Sequence, residues 1–255
     1  MAKVFKDLQN GVVLAELGGY ADGDFCVRYG KGAAAVIMGT YIIDSAENIH
    51  YPPAFVFRPG RKNCQSYLGE HIKQAKQSGA KVAVSAIGSE IEDVADFLAA
   101  AEEAGADFIS LCAHSAMEMF TRQGLGYKLC MPENRDNLKK WVSGILSATT
   151  KPFILKPGSV WHDYIIESVG IAAELGVPIL HANLGLAFEP EALETIRKLS
   201  QVFGFVIAGG GITGFDGAQK VLDAGAGAVS VAKAAIQDQS FIQRLQDELR
   251  DNPNM

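Results

Sequence analysis

No block of basic residues occurs anywhere in the chain. The balance is acidic, with 23 lysines and arginines against 29 aspartates and glutamates and a formal net charge of −6. Electrostatics therefore gives no reason to expect a nucleic-acid partner. No apolar run reaches the roughly 18 residues that would cross a bilayer, and the opening MAKVFKDLQNG lacks the apolar stretch of a secretion signal. The expectation is a soluble, cytoplasmic protein with no membrane contact. Cysteine is sparse: Cys26, Cys64, Cys112 and Cys130 are the four in 255 residues, and no two form a Cys-x-x-Cys pair. That spacing argues against a zinc site or a dithiol redox motif. Buried thiols are expected instead, and no metal site.

What is present is a regular alternation. Short β-branched runs lie at 12–17, 33–39, 81–87, 107–112, 152–156, 178–182, 205–209 and 227–232. Several are apolar at successive positions, as parallel strands covered on both faces are. Between them fall amphipathic stretches. In 91–106, Ile91, Val94, Ala95, Leu98 and Ala101 make a three-and-four stripe, and in 135–148 Leu138, Trp141, Val142 and Ile145 do the same. Stretches 164–176, 189–203 and 215–226 follow suit, and Gly105, Gly176 and Gly225 stand where left-handed caps would end such helices. Eight strands alternating with helices predict an α/β fold, a single (β/α)8 TIM barrel over residues 1–255. An open doubly wound sheet is the competitor. Two connections are long, from Asp44 to Gln65 (with Tyr51, Pro52, Pro53 and Arg58) and from Ala113 to Asn134. Both follow a strand and so belong to the catalytic face of a barrel.

Candidate chemistry gathers at the strand ends. FVIAGGGIT (205–213) runs a strand into Gly209, Gly210 and Gly211 and then towards a helix. Consecutive glycines let backbone N–H groups close on an anion, and a following helix adds its positive end. The next unit places Ala232, Lys233 and Ala234 at the corresponding point. Two neighbouring turns of this kind form the phosphate site of many barrels; the plain alternative is a tight turn and nothing more. Lys156 ends PFILK and must be solvated or paired, with Glu16, at the end of the first strand, as the obvious structural partner. His181 ends PILHA, and Asn183 stands just beyond it. Cys112, His114 and Ser115 lie together in SLCAHSAMEMF, where a thiol, imidazole or hydroxyl is placed to move a proton.

These segments resemble the FMN-dependent barrels of the dihydrouridine synthase and dihydroorotate dehydrogenase superfamily. The likeness covers nearly the whole chain and is greatest to the synthase branch. LAELGGYADGDFCVRYG (14–30), SLCAHSAMEMFTRQGLGYKL (110–129), PFILK, PILHA, VIAGGGI and AVSVAKAAI match in order and spacing. The resemblance implies FMN, with Lys156 and His181 as flavin contacts and with the phosphate on Gly209 to Gly211 and Ala232 to Ala234. It also carries departures. The family's catalytic cysteine falls on Ser115, its asparagine on Cys112, its third-strand glutamine on Ser85 and a first-strand proline on Glu16. No residues match the synthases' helical RNA-holding domain, so a tRNA substrate is not expected.

The reading is an FMN-binding oxidoreductase that moves a hydride between flavin and a C=C bond of a small molecule. Ser115 or His114 would handle the proton, Lys156 would stabilise the reduced ring, and Glu16, Ser85, Cys112, His181 and Asn183 would flank it. A non-redox lyase or isomerase of a phosphorylated metabolite is the alternative, with Lys156 binding an oxyanion or forming a Schiff base. A ligand-binding pseudoenzyme is the third. Barrels often self-associate, so a homo-oligomer is also an expectation.

Overall fold

The computed structural model describes residues 5–158 and 162–252, with side chains omitted for 162–165. Its strands are β1 (Gly11–Leu14), β2 (Ala35–Ile43), β3 (Val56–Phe57), β4 (Lys81–Gly88), β5 (Phe108–Ala113), β6 (Phe153–Pro157), β7 (Ile179–Asn183), β8 (Phe205–Gly209) and β9 (Ala228–Val231). The order is β1-β9-β8-β7-β6-β5-β4-β2-β3, all parallel, and β1 also pairs with β2. That last pairing closes eight strands into a (β/α)8 TIM barrel, and β3 only extends β2 beyond the ring. An open sheet is thereby excluded.

The helices are α1 (Gly23–Tyr29), α2 (Gln65–Ala75), α3 (Ile91–Glu103), α4 (Glu118–Thr121), α5 (Arg135–Ala148), α6 (His162–Glu174), α7 (Pro190–Val202), α8 (Phe215–Asp223), α9 (Lys233–Gln237) and α10 (Phe241–Asp251). The stripe read in 135–148 is the buried face of α5, where Leu138, Trp141, Val142 and Ile145 are all covered. Gly105, Gly176 and Gly225 each adopt a φ near +100° just past a helix, a conformation that a Cβ would strain.

Among the strands, the expected boundaries shift most at the first two. The first strand stops at Leu14, so Glu16 stands beyond its end. The second runs on to Ile43, because Ile42 and Ile43 pair with both β4 and β3.

The barrel interior changes character partway up. Its lower rungs are apolar: Val13, Ala35, Ile37, Ala83, Phe108, Ile154, Ile179, Phe205, Ile207 and Ala228 pack as one cluster with Leu8. Side chains alternate sides along a strand, so the residue two places on faces the same interior. On β4, β5, β6, β7 and β9 that residue is Ser85, Ser110, Lys156, His181 and Ser230, all buried. An apolar plug thus carries a polar layer, and the polar layer forms the floor of the mouth.

Candidate functional site at the barrel mouth

Glu16, Lys156 and His181 meet on this floor. Lys156 Nζ lies 2.9 Å from Glu16 Oε1, and the two side chains are 8% and 3% exposed. Ser85 Oγ donates to the same carboxylate oxygen at 3.4 Å. Glu16 Oε2 has no hydrogen-bond partner, and neither has His181 Nδ1, which lies 4.0 Å from it. His181 Nε2 is 2.9 Å from Ser230 Oγ. The structural pairing foreseen for Lys156 is therefore present: residues that the resemblance places around a flavin ring bond one another.

Above the floor opens a cavity of about 210 Å³. Its polar lining comes from Glu16, Thr40, Cys112, His114, Ser115 and Lys156, and its apolar walls from Ile42, Ile87 and Met117. Tyr51, on the long Asp44–Gln65 connection, closes one side. Its hydroxyl donates to the Thr40 carbonyl at 3.0 Å. A Cβ on Gly18 would come within 2.6 Å of that hydroxyl, and one on Gly19 within 2.7 Å of Pro52 Cγ. The loop thus rests on two residues that have no side chain to push it away.

The electrostatics follow from burial. Desolvation first, then the Lys156 charge, lowers both His181 and His114 below the usual histidine range, His181 far below. Both imidazoles are neutral near pH 7. Desolvation and then Glu16 raise the Cys112 thiol, so it is protonated and no thiolate nucleophile stands here. All four cysteines are buried and free, as their spacing led one to expect. Ser115 Oγ accepts from Met117 N–H at 3.2 Å, and no base approaches it among the described residues.

On the opposite side of Lys156 lie the two turns. Gly210 and Gly211 have φ of +127° and +65°. The loop after β7 is clipped onto this turn, with Leu184 N–H donating to the Gly209 carbonyl and Ala187 N–H to that of Gly210. The N–H groups of Gly210 and Gly211 donate to nothing among the described residues. The helix read directly after the glycines starts later, because α8 begins at Phe215. The turn's own N–H groups are left without an acceptor among the described residues, and the helix end does not reach them. On the neighbouring strand, α9 does follow at once, with Ala232 as its cap and Lys233 exposed. Asn183 sits at the end of β7, paired in register with Gly209, and its Oδ1 accepts from Gly185 N–H at 3.4 Å. It does not line the cavity.

Thr40, Tyr51 and Ser230 were not singled out as site residues from sequence. The long loop after the second strand was the available signal for Tyr51. Ser230 is recognisable once the inward parity of β9 is known, and Thr40 lies in an irregular part of β2 between Met38 and Tyr41.

The fold and mouth define a closed parallel barrel with an ionised pair at its centre and an open glycine turn at one edge. Three comparisons bear on it. A model of the His_biosynth family, "Histidine biosynthesis protein", matches residues 179–253, from β7 through α10 and so across both turns. The uncharacterized protein MJ0144 of Methanocaldococcus jannaschii is 32% identical over 156 residues, 58% of this chain and 58% of that relative. The chain thus matches somewhat over half the length of this relative. A crystal structure of DHODH in complex with ferulenol, from Eimeria tenella, superposes with a TM-score of 0.72 at 15% identity, covering 96% of this chain and 84% of that one. It shares the fold. No helix of the described residues is long and apolar enough to cross a membrane.

Proposed function

We propose that this chain is an enzyme that holds a phosphate-bearing molecule across the barrel mouth, and that the molecule is FMN. One arrangement carries the reading. Unengaged N–H groups at Gly210 and Gly211 lie on one side of Lys156, and a partly apolar cavity, open to the mouth, lies on the other. A ligand with a phosphate at one end and a ring at the other matches that layout. The residues suit FMN at its phosphate end, where Gly209 to Gly211 and Ala232 to Ala234 would hold it, and Lys156 and His181 stand where a ring edge would come. Asn183 flanks the path between them. When bound, FMN supplies a hydride acceptor or donor, which makes the chain an oxidoreductase acting on a carbon–carbon double bond of a small molecule.

The chain's own residues would do the rest. Lys156 would present a positive charge to the ring edge. Tyr51 and its loop would keep water from the cavity. His114, neutral and facing the cavity, is the better candidate to move a proton there. A serine hydroxyl without a neighbouring base is a weak acid, so Ser115 serves to fix the loop through Met117.

A second reading rests on a specific observation. Glu16 neutralises Lys156, which weakens its hold on an anionic ring, and about 210 Å³ is smaller than the roughly 300 Å³ at which drug-sized sites begin. Both features suit a non-redox enzyme that moves a proton on a compact phosphorylated metabolite, with Glu16 as base.

The visible absorption of the purified protein separates the two. A flavin spectrum, with release of FMN on denaturation, supports the first. A colourless protein that takes up no added FMN, yet binds ribose 5-phosphate by calorimetry, refutes the first and supports the second. A flavin-bearing protein with no turnover would support a pseudoenzyme.

A further inference from the structure

Glu16 is a buried carboxylate with one engaged oxygen and one idle one. Oε1 takes both Lys156 Nζ and Ser85 Oγ, while Oε2 has no partner and the side chain is only 3% exposed. An unmet acceptor in such a place costs free energy unless a ligand or water satisfies it. Glu16 also lines the cavity, with Ile42, Ile87 and Met117 as apolar walls. Among the described residues the charged and titratable groups around it sum to zero: Glu16 and Lys156 cancel, His114 and His181 are held neutral by burial and by Lys156, and burial keeps the Cys112 thiol and the Tyr51 phenol protonated.

We propose that Glu16 determines what enters the cavity, selecting an uncharged group that bears an N–H or O–H donor on a compact apolar body, and rejecting a carboxylate. Oε2 is sealed beside His181 Nδ1, so the donor would meet the carboxylate after a turn that brings Oε2 to the cavity that Glu16 lines. An entering carboxylate would bring a second negative charge beside Glu16 in a poorly solvated space. To reach Lys156 it would have to displace Glu16 from a 2.9 Å contact. This rests on the cavity being the ligand-binding end of the site, and it holds whether the phosphate belongs to FMN or to a metabolite.

Benzamide and benzoate test it, being nearly equal in size and differing in charge and in the donor. Binding is read from the methyl NMR signals of Ile42, Ile87 and Met117 in the protein as purified. In the wild type, benzamide is expected to bind at least ten-fold more tightly than benzoate. Glu16→Gln frees the Lys156 charge, so benzoate should gain ten-fold or more and the preference should collapse. Equal binding of the two probes by the wild type, binding of neither, or an unchanged ratio in Glu16→Gln would each overturn the proposal. Should Glu16→Gln fold poorly, Lys156→Gln retains the carboxylate and must still exclude benzoate; admission of benzoate there also overturns it. These methyls lie on the cavity side of Lys156, away from the glycine turn. Failure here leaves the phosphate assignment standing, and failure of phosphate binding leaves this result readable.

Discussion

Ser230 on β9 occupies the space that a side chain on Gly209 would need: a Cβ at 209 would fall 2.0 Å from Ser230 Oγ and 2.6 Å from its carbonyl oxygen. The same hydroxyl lies 2.9 Å from His181 Nε2. The first glycine of the turn therefore makes room for the group that holds the histidine. Ser230→Ala should leave a buried ring nitrogen unpaired and cost about 1–3 kcal/mol. Gly209→Ala should cost more, because part of the obstacle is backbone. Urea unfolding of both variants checks the order.

The other two glycines should respond differently from each other. At Gly210 a Cβ would meet the Gly185 carbonyl oxygen at 2.5 Å, with φ at +127°, whereas at Gly211 the obstacle is Leu186 Cδ2, the end of a side chain that is 51% exposed. Leu186 can turn away, so Gly211→Ala should cost about 1–2 kcal/mol, the price of left-handed backbone for a residue with a Cβ. Gly210→Ala should be the more destabilising. Gly210→Asp adds like-charge repulsion and should abolish binding of FMN or of ribose 5-phosphate. Calorimetry with a folded Gly210→Asp protein that binds either ligand as the wild type does would remove the phosphate from this turn.

The ion pair carries a stability prediction of its own. Removing one partner of a buried pair strands the other, at about 3–5 kcal/mol, whereas replacing both with apolar residues is often close to neutral. Glu16→Leu should therefore be strongly destabilising, and Glu16→Leu with Lys156→Met less so than Glu16→Leu alone. A double-mutant cycle by urea unfolding measures the coupling. Additive losses would mean that the pair does not act as a unit.

His181 gives the fold a pH dependence of defined sign. Its folded pKa lies well below the ordinary 6.5, so below that pH the unfolded chain binds the proton first. Stability is complete above about pH 6.5 and falls as the pH drops, with a slope of up to ~1.4 kcal/mol per pH unit for each such histidine. His114 is shifted the same way and adds to the slope. His181→Gln should flatten the curve of unfolding free energy between pH 5 and pH 6.5, a window set by the ordinary histidine pKa. An unaltered slope would mean that His181 is not held neutral.

Local chemistry in the sequence carried much of this far. Apolar runs with punctuating glycines were enough to indicate eight parallel strands, because both faces of such strands are covered and the helices between them repeat every three or four residues. The same runs placed Lys156 and Gly209–Gly211 at strand ends, although the strand of His181 runs on to Asn183, and the scattered cysteines already spoke for buried thiols. What the sequence could not decide was who meets whom. Glu16 lies past the end of β1 and reaches Lys156 only because β1 pairs with both β2 and β9, bringing the first and last strands of the barrel together. Ring closure also gives β9 its inward parity, which turns Ser230 towards His181. The start of α8 at Phe215, four residues after Gly211, leaves the turn's own N–H groups without the helix end beside them. Tyr51 becomes a wall of the cavity because Gly18 and Gly19 leave space for its loop to settle. Each of these is a contact between segments distant in the chain, set by strand register and packing and carrying no local signature.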